Sequence, residues 1–179
     1  MGVVASRATD ARRRGAGSPL RMARQSAPGR DPRARGALVG MTLYHTPAHI
    51  FRALLEAAAF GNRHILETLA AAGVQITEVR AAGGGAGSAV GLQMHADVAG
   101  VPVTVTSSED SALVGGAIAA AACAGRYASL EVAAAAKVHP VRTYTPDPAR
   151  HAAYAEPYQL YRDLYPALRP IFPRFAGLA

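Results

Sequence analysis

One short segment constrains this chain more than any other: Gly83-Gly84-Gly85-Ala86-Gly87-Ser88. Four glycines in five residues carry too large a backbone-entropy cost to sit inside a helix or a strand, so the segment is a junction. Upstream, Gln75 to Ala82 contains Ile-Thr-Glu-Val-Arg-Ala-Ala, a short strand-like run. Downstream, Ser88 opens a helical pattern that runs to about Val98 and is closed by Gly100. A strand that enters a glycine turn and leaves as a helix is the layout of phosphate and nucleotide sites. Glycine lets a ligand approach the backbone, and the helix start offers free N–H groups and the positive end of the dipole. The same layout also serves as a tight turn with no ligand.

The rest of the chain builds around that junction. Thr46-Pro47 marks a helix start, with Thr as N-cap and Pro at the first helical position. Ile50, Leu54, Ala57, Phe60, Ile65 and Leu69 recur near the helical period, and Arg52, Glu56, Arg63 and Glu67 fall largely on the other side. With Gly73 as the stop, this predicts an amphipathic helix over about 47–72. Ala37 to Leu43 is a candidate strand or extended segment, and Val101 to Thr106 reads as a β-branched strand. Ala112 to Ala124, ended by Gly125, reads as a buried apolar helix. Ser129 to Val138 and the Tyr-rich Ala149 to Leu168 read as further helix. Strands separated by helices imply crossover connections and an α/β sheet. Two or three strands are few for this much helix, so the sheet is expected to be incomplete.

Charge separates the chain into two parts. Residues 1–36 hold nine Arg and two Asp, a net of +7, whereas 37–179 hold nine Arg and one Lys against ten acids, a net of 0. A basic tail can bind polyanions, but the balanced remainder argues against a nucleic-acid-binding face. The tail has no apolar run of the kind a secretory signal needs, and its prolines and glycines break any amphipathic transit helix. The longest apolar run, Ala112 to Gly125, is about 14 residues, short of the roughly 20 that span a bilayer. No membrane association is expected. One cysteine, Cys123, permits no internal disulfide and no cysteine-based zinc cluster, which points to a reducing compartment. The 50% hydrophobic content suffices for a core, with aromatics at only 6%.

Other candidates carry less. The glycine turn lacks the Lys-Ser or Lys-Thr of a P-loop, and Ser88 stands where a dinucleotide fingerprint needs its third glycine. His45 and His49 are four apart, but His45 precedes the Thr46 cap, so the two read as polar residues at a helix entrance. Asp97 and Glu109-Asp110 read as capping or surface acids. Tyr154, Tyr158, Tyr161 and Tyr165 form one helical stripe suited to docking on a core, and Cys123 reads as a small buried apolar residue.

Six blocks then line up in order. Ala27 to Arg52 (APGRDPRARGALVGMTLYHTPAHIFR) carries Pro28, Asp31-Pro32, Ala34-Arg35-Gly36, Gly40 and Thr42, then His45 to His49. Leu54 to Phe60 reads LLEAAAF, followed by the glycine turn, Gln93 to Gly100 (QMHADVAG), Ser111 to Ile118 (SALVGGAI) and Tyr158 to Phe172 (YQLYRDLYPALRPIF). This set resembles the FGGY carbohydrate kinases, with Ala57 where the family has Gly. The glycine turn resembles their adenosine motif, and the last block is most similar to xylulokinases. The resemblance implies a partial actin-like (ribonuclease H-like) ATPase domain over 27–172, the C-terminal lobe of a sugar kinase. It leaves 1–26 as a disordered Arg-rich tail matching nothing in the family, and 173–179 as a C-terminal tail.

By that resemblance the family transfers the γ-phosphoryl of Mg-ATP to a sugar hydroxyl between two domains, in the cytoplasm. ATP and Mg2+ are the implied cofactors, and a pentulose such as xylulose is the implied sugar. Gly83, Gly84, Gly85, Ala86 and Ser88 would hold the nucleotide, with Gly85 at the closest approach in an unusual φ, and Thr42 would lie near its phosphates. No catalytic and no metal-ligating residue is assigned. The lobe with most of the sugar site, the block with the catalytic Asp and the first strands of the domain have no counterpart here. The chain is therefore expected to be an inactive fragment, or one part of a split enzyme whose partner chain carries the missing lobe. Two other readings stand beside it: a non-catalytic nucleotide-binding or interaction module, and polyanion binding through the Arg-rich tail.

Overall fold

The computed structural model describes residues 21–23, 31, 34–107 and 111–175. In chain order the elements are β1 (Arg21–Ala23), β2 (Ala37–Val39), α1 (Pro47–Ala71), β3 (Val79–Ala81), a 3-10 turn (Gly84–Gly87), α2 (Ala89–Ala99) and β4 (Val103–Thr106). They continue with α3 (Ser111–Cys123), α4 (Leu130–Lys137), β5 (Pro140–Tyr144), α5 (Pro148–Ala153), α6 (Ala155–Leu168), a 3-10 turn (Arg169–Ile171) and α7 (Phe172–Phe175). Strands β3, β4 and β5 form one sheet in that order, β3 parallel and β5 antiparallel to β4. Strands β1 and β2 pair antiparallel by themselves. The α/β reading and the incomplete sheet are both present.

The start of α1 follows from its sequence. Thr46 is extended, Pro47 opens the helix, and the Thr46 N–H donates to His49 Nδ1 at 3.1 Å. One turn earlier the Thr42 N–H donates to His45 Nδ1 at 2.9 Å. In both imidazoles Nδ1 is an acceptor, so a neutral ring carries its proton on Nε2. His49 thus completes the capping box of α1 and His45 closes the turn before it, in keeping with a helix-entrance role. At the other end Gly73 adopts φ +89°, and the chain turns toward β3.

Two cores meet on α2. On one side Phe60 of α1, 1% exposed, is surrounded by Met94, Val98, Tyr154, Tyr158 and Tyr161. The three tyrosine rings lie 5.5–5.9 Å from the Phe60 ring. Their polar ends stay satisfied: the Tyr158 O–H donates to Glu67 at 2.7 Å, and the Arg63 guanidinium sits 4.2 Å over the Tyr158 ring. Burial works against the Glu67 carboxylate, but the hydrogen bonds from Tyr158 and Arg63 and the charges of Arg63 and Arg162 outweigh it and hold its pKa below the ordinary range. On the other side Leu92 and Ala96 pack with Val103 and Tyr144 of the sheet.

Asp97 is neither a cap nor a surface acid: it is 2% exposed. Its Oδ1 accepts from Gln93 Nε2 at 2.8 Å and from the Asp147 N–H at 3.0 Å, and its Oδ2 faces Arg150 at 3.5 Å. The His151 Nδ1–H donates to the Asp97 carbonyl at 2.9 Å. One carboxylate therefore ties the end of α2 to the start of α5. Gly100, at φ +73°, follows directly, and a Cβ there would come within 2.8 Å of the His151 ring. Gly100 is demanded by both conformation and space.

Four expectations need correcting. Arg21–Ala23, placed in a disordered tail, is a strand paired with Ala37–Val39; the rest of 1–26 lies outside the described residues, as do Glu109-Asp110 and 176–179. The apolar helix α3 packs against α4 but is largely exposed, as are Leu113 and Cys123, because nothing else among the described residues covers it. The Tyr-rich helix is broken at Tyr154 into α5 and α6. Strand β5 was not foreseen: its Pro-Val-Arg-Thr-Tyr begins with a residue that lacks an N–H, which an edge strand tolerates at its first position.

Two outcomes follow from this packing. Phe60→Ala removes the ring around which α1, α2 and α6 meet and should cost about 3–5 kcal/mol in a denaturant titration. His95, partly buried beside Asn62, is held by burial below the ordinary histidine pKa of 6.5. The unfolded chain therefore takes up the proton first, and stability is full above about pH 6.5 and falls as pH drops below it. The melting temperature should decline from about pH 7.5 to about pH 5.5, and less steeply in His95→Gln.

Candidate functional site

The glycine turn leaves β3 at Ala81 and is tightened by two backbone bonds. The Ala86 N–H donates to the Gly83 carbonyl at 2.9 Å and the Ser88 N–H to the Gly85 carbonyl at 3.5 Å. The turn is thus one 3-10 turn rather than an open loop. Ser88 then caps α2: its Oγ accepts the Gly91 N–H at 3.2 Å. Facing the turn are the end of β4, Val105 to Ser107, and Val141 of β5. Between them lies a cleft of about 450 Å³ lined by Gly83, Gly84, Ala86 and Gly87 on one wall and Val105, Thr106, Ser107 and Val141 on the other.

The glycines of the turn differ in what they require. Gly83 alone among them has a left-handed φ, +78°. Gly85 does not have the unusual φ expected for it. A Cβ added at Gly83, Gly84, Gly85 or Gly87 would meet no atom of the described residues beyond its chain neighbours within 4 Å. At Gly84 and Gly87 neither backbone conformation nor packing among the described residues calls for glycine.

The residues singled out by sequence separate into groups. Gly83, Gly84 and Ala86 line the cleft; Gly85 and Ser88 belong to the same turn without lining it, Ser88 serving as the cap. Thr42 is not part of this lining and is bonded to His45. Asn62 meets His95 and Arg63 donates to the Val98 carbonyl, so the middle of α1 packs on α2. The opposite wall went unseen in the sequence. Val105 and Thr106 were legible as strand, but Ser107 and Val141 come into place only through the pairing of β4 with β5.

Among the described residues the lining carries no titratable side chain. It offers peptide groups, two hydroxyls and two valines, a surface that can bind a flat or neutral part of a ligand but can neither take up a proton nor attack. Among the described residues no three of His, Cys, Asp or Glu come together as a metal site.

Residues 4–124 match the C-terminal domain of the FGGY family of carbohydrate kinases. The chain belongs to this family. The match begins within the Arg-rich tail, which therefore is not foreign to the family. Ribulokinase of Mycolicibacterium smegmatis is 38% identical over 136 residues, covering 75% of this chain and 24% of that protein. L-xylulose/3-keto-L-gulonate kinase of Escherichia coli is 34% identical over 135 residues, covering 75% of this chain and 27% of that protein. The crystal structure of xylulose kinase from Rhodospirillum rubrum superimposes with a TM-score of 0.75 at 28% identity, covering 96% of this chain and 39% of that one. The ligand-bound xylulose kinase of Lactobacillus acidophilus, at 24% identity, shares the fold with a TM-score of 0.81. The fold is thus part of the actin-like C-terminal lobe of FGGY sugar kinases. The chain spans about a quarter of the length of the curated relatives it matches.

The glycines of the turn differ in what a side chain would do to stability. Gly84→Ala should leave stability unchanged or raise it by up to about 1 kcal/mol, whereas Gly83→Ala should lower it by about 1–2 kcal/mol because of its left-handed φ. Urea denaturation of the two variants checks the contrast.

Proposed function

We propose that the Gly83–Gly87 cleft holds the adenosine end of ATP, and that this chain is the nucleotide-binding part of a cytoplasmic kinase acting on a sugar. The observation that carries the proposal is the bare wall: Gly84 and Gly87 line the cleft, neither has a left-handed φ, and a Cβ on either would stand in open space among the described residues. Gly83, Gly84 and Ala86 line the site, Gly85 completes its turn and Ser88 fixes the helix behind it. Thr42, in the segment before α1, is proposed to border the phosphate side on the family resemblance alone. A pentulose such as xylulose is the proposed sugar, supported by the ribulokinase and xylulose kinase relatives.

Phosphoryl transfer needs charge stabilisation around the moving phosphoryl and a group to accept the sugar proton. The described lining supplies neither, so the 179-residue chain is proposed to be inactive until a partner chain provides the complementary lobe. Mg2+ would enter with the nucleotide phosphates, since the described residues offer it no ligand set. Calorimetric titration tests the site: Gly84→Val should weaken ATP binding at least about tenfold, with the melting temperature unchanged. Unaltered affinity would remove the assignment, and sugar-dependent ATP turnover by the chain alone would overturn its proposed dependence on a partner.

A further inference from the structure

Helix α1 has a second apolar face. Among the apolar positions that mark the helix in the sequence, Leu54, Ile65 and Leu69 are not in the core. Together with Phe51 they stand 37–42% exposed, and Ala58 between them is exposed as well. At about 100° per residue these five fall within about 60° of the helix circumference, on the side away from the buried Glu56 and Phe60. The helix meets α2, α6 and β1, and among the described residues none of them closes over this stripe. It runs roughly 27 Å, from Phe51 to Leu69.

Charge restricts what can cover the stripe. The charged side chains of α1 are used on its other faces: Arg52 pairs with Glu56 and Arg63 with Glu67, each at 2.9 Å. Arg52 also donates to the Tyr154 hydroxyl, and Arg63 to the Val98 carbonyl. The Thr68 hydroxyl, beside the stripe, donates to the His64 carbonyl at 2.8 Å and needs no outside acceptor. An uncharged stripe offers nothing to a polyanion or to an acidic or basic partner, which bind through charge. When it meets itself, it sets no like charges against each other.

The size pattern reads the same from both ends. Large residues stand at Phe51 and Leu54, small ones at Ala58 and, on the border of the stripe, Gly61, then large ones again at Ile65 and Leu69. A two-fold axis across the helix near residue 60 sets Phe51 against Leu69 of a second copy, Leu54 against Ile65, and Ala58 against Gly61. Steps of three and four residues suit a shallow antiparallel helix pair, and small residues at the crossing let the axes approach. A two-fold contact needs a surface that complements itself, and this stripe does. A stripe about 27 Å long on a helix about 10 Å wide covers a few hundred Å², less than the roughly 800 Å² per partner of a standard interface, so the contact belongs to the weak, reversible class.

We infer that the outer face of α1 is a self-association surface, on which two copies of this chain pair antiparallel through Phe51, Leu54, Ala58, Ile65 and Leu69 in a weak dimer. The pairing does not use the exposed surface of α3, and it does not depend on what the glycine cleft binds.

Sedimentation velocity of the full chain over about 1–300 µM tests this, and the chain should pass from monomer to dimer with a midpoint in the tens of micromolar. Leu54→Glu and Ile65→Glu each put a carboxylate into the seam and should raise the dissociation constant at least about tenfold, while the melting temperature stays nearly unchanged because both positions are exposed. Leu113→Glu, on α3, should leave the dimer as it is. Cysteine pairing in a Cys123→Ser background reads the register. A chain with Leu54→Cys and Ile65→Cys should form a disulfide between copies. Leu54→Cys alone should not, because the two copies of that position lie roughly 16 Å apart along the paired helices, beyond disulfide reach. A chain that stays monomeric to about 300 µM overturns the inference. So does a dimer that survives both Leu54→Glu and Ile65→Glu, or one that Leu113→Glu dissociates, since either puts the contact elsewhere. A disulfide formed by Leu54→Cys alone overturns the antiparallel register.

Discussion

The structure depends on the seating of α2 between two cores. Its residues Met94 and Val98 face Phe60 and the tyrosines, and Leu92 and Ala96 face the sheet. A helix buried on two sides cannot slide or rotate without opening one of them, because packed interiors leave no spare volume. Asp97 locks the remaining degree of freedom by binding the α5 start through a carboxylate that is 2% exposed. Such a carboxylate is stable in the interior only because its donors are all in place. The start of α2 is thereby fixed, and with it the glycine turn that forms one wall of the cleft.

How much of this was legible in the sequence depended on the kind of signal. Local chemistry was legible: the Thr46-Pro47 start, the glycine stop at Gly73, the Ser88 cap and the Gly100 terminus all act within a few residues and stand as read. The glycine turn was legible as a junction, but which of its glycines faces the cleft was not, since that depends on a 3-10 turn set by two backbone bonds. Partners distant in sequence were not legible. Asp97 looks like an ordinary acid until Asp147 and Arg150 arrive from about fifty residues away. Val141 becomes a wall of the site only because Pro140–Tyr144 pairs antiparallel with β4.

Helix α3 shows the opposite kind of mismatch. Its sequence is apolar throughout, and a helix of that composition belongs in an interior. Among the described residues it packs on α4 and otherwise leaves its apolar surface open, with Leu113 71% exposed. The sequence reading was right about the chemistry and wrong about the burial. The drive to cover this surface remains in the molecule. It agrees with the proposed dependence on a complementary lobe, as does a sheet of three strands in a chain that spans only part of its relatives.

A division of labour follows from the charge of the cleft. In the proposed reading, peptide groups, valines and hydroxyls hold the uncharged end of a nucleotide without competing for its phosphates, and each hydrogen bond they make adds only about 0.5–1.5 kcal/mol net. A few such contacts against the cost of fixing a ligand give weak affinity, and no described lining group can stabilise the charge that develops on a transferring phosphoryl. The chemistry of transfer therefore has to be supplied by groups outside the described lining. The bare glycine wall is suited to that arrangement. In the proposed reading it holds the base at one end of an extended ligand and leaves the reactive end accessible to whatever closes over it.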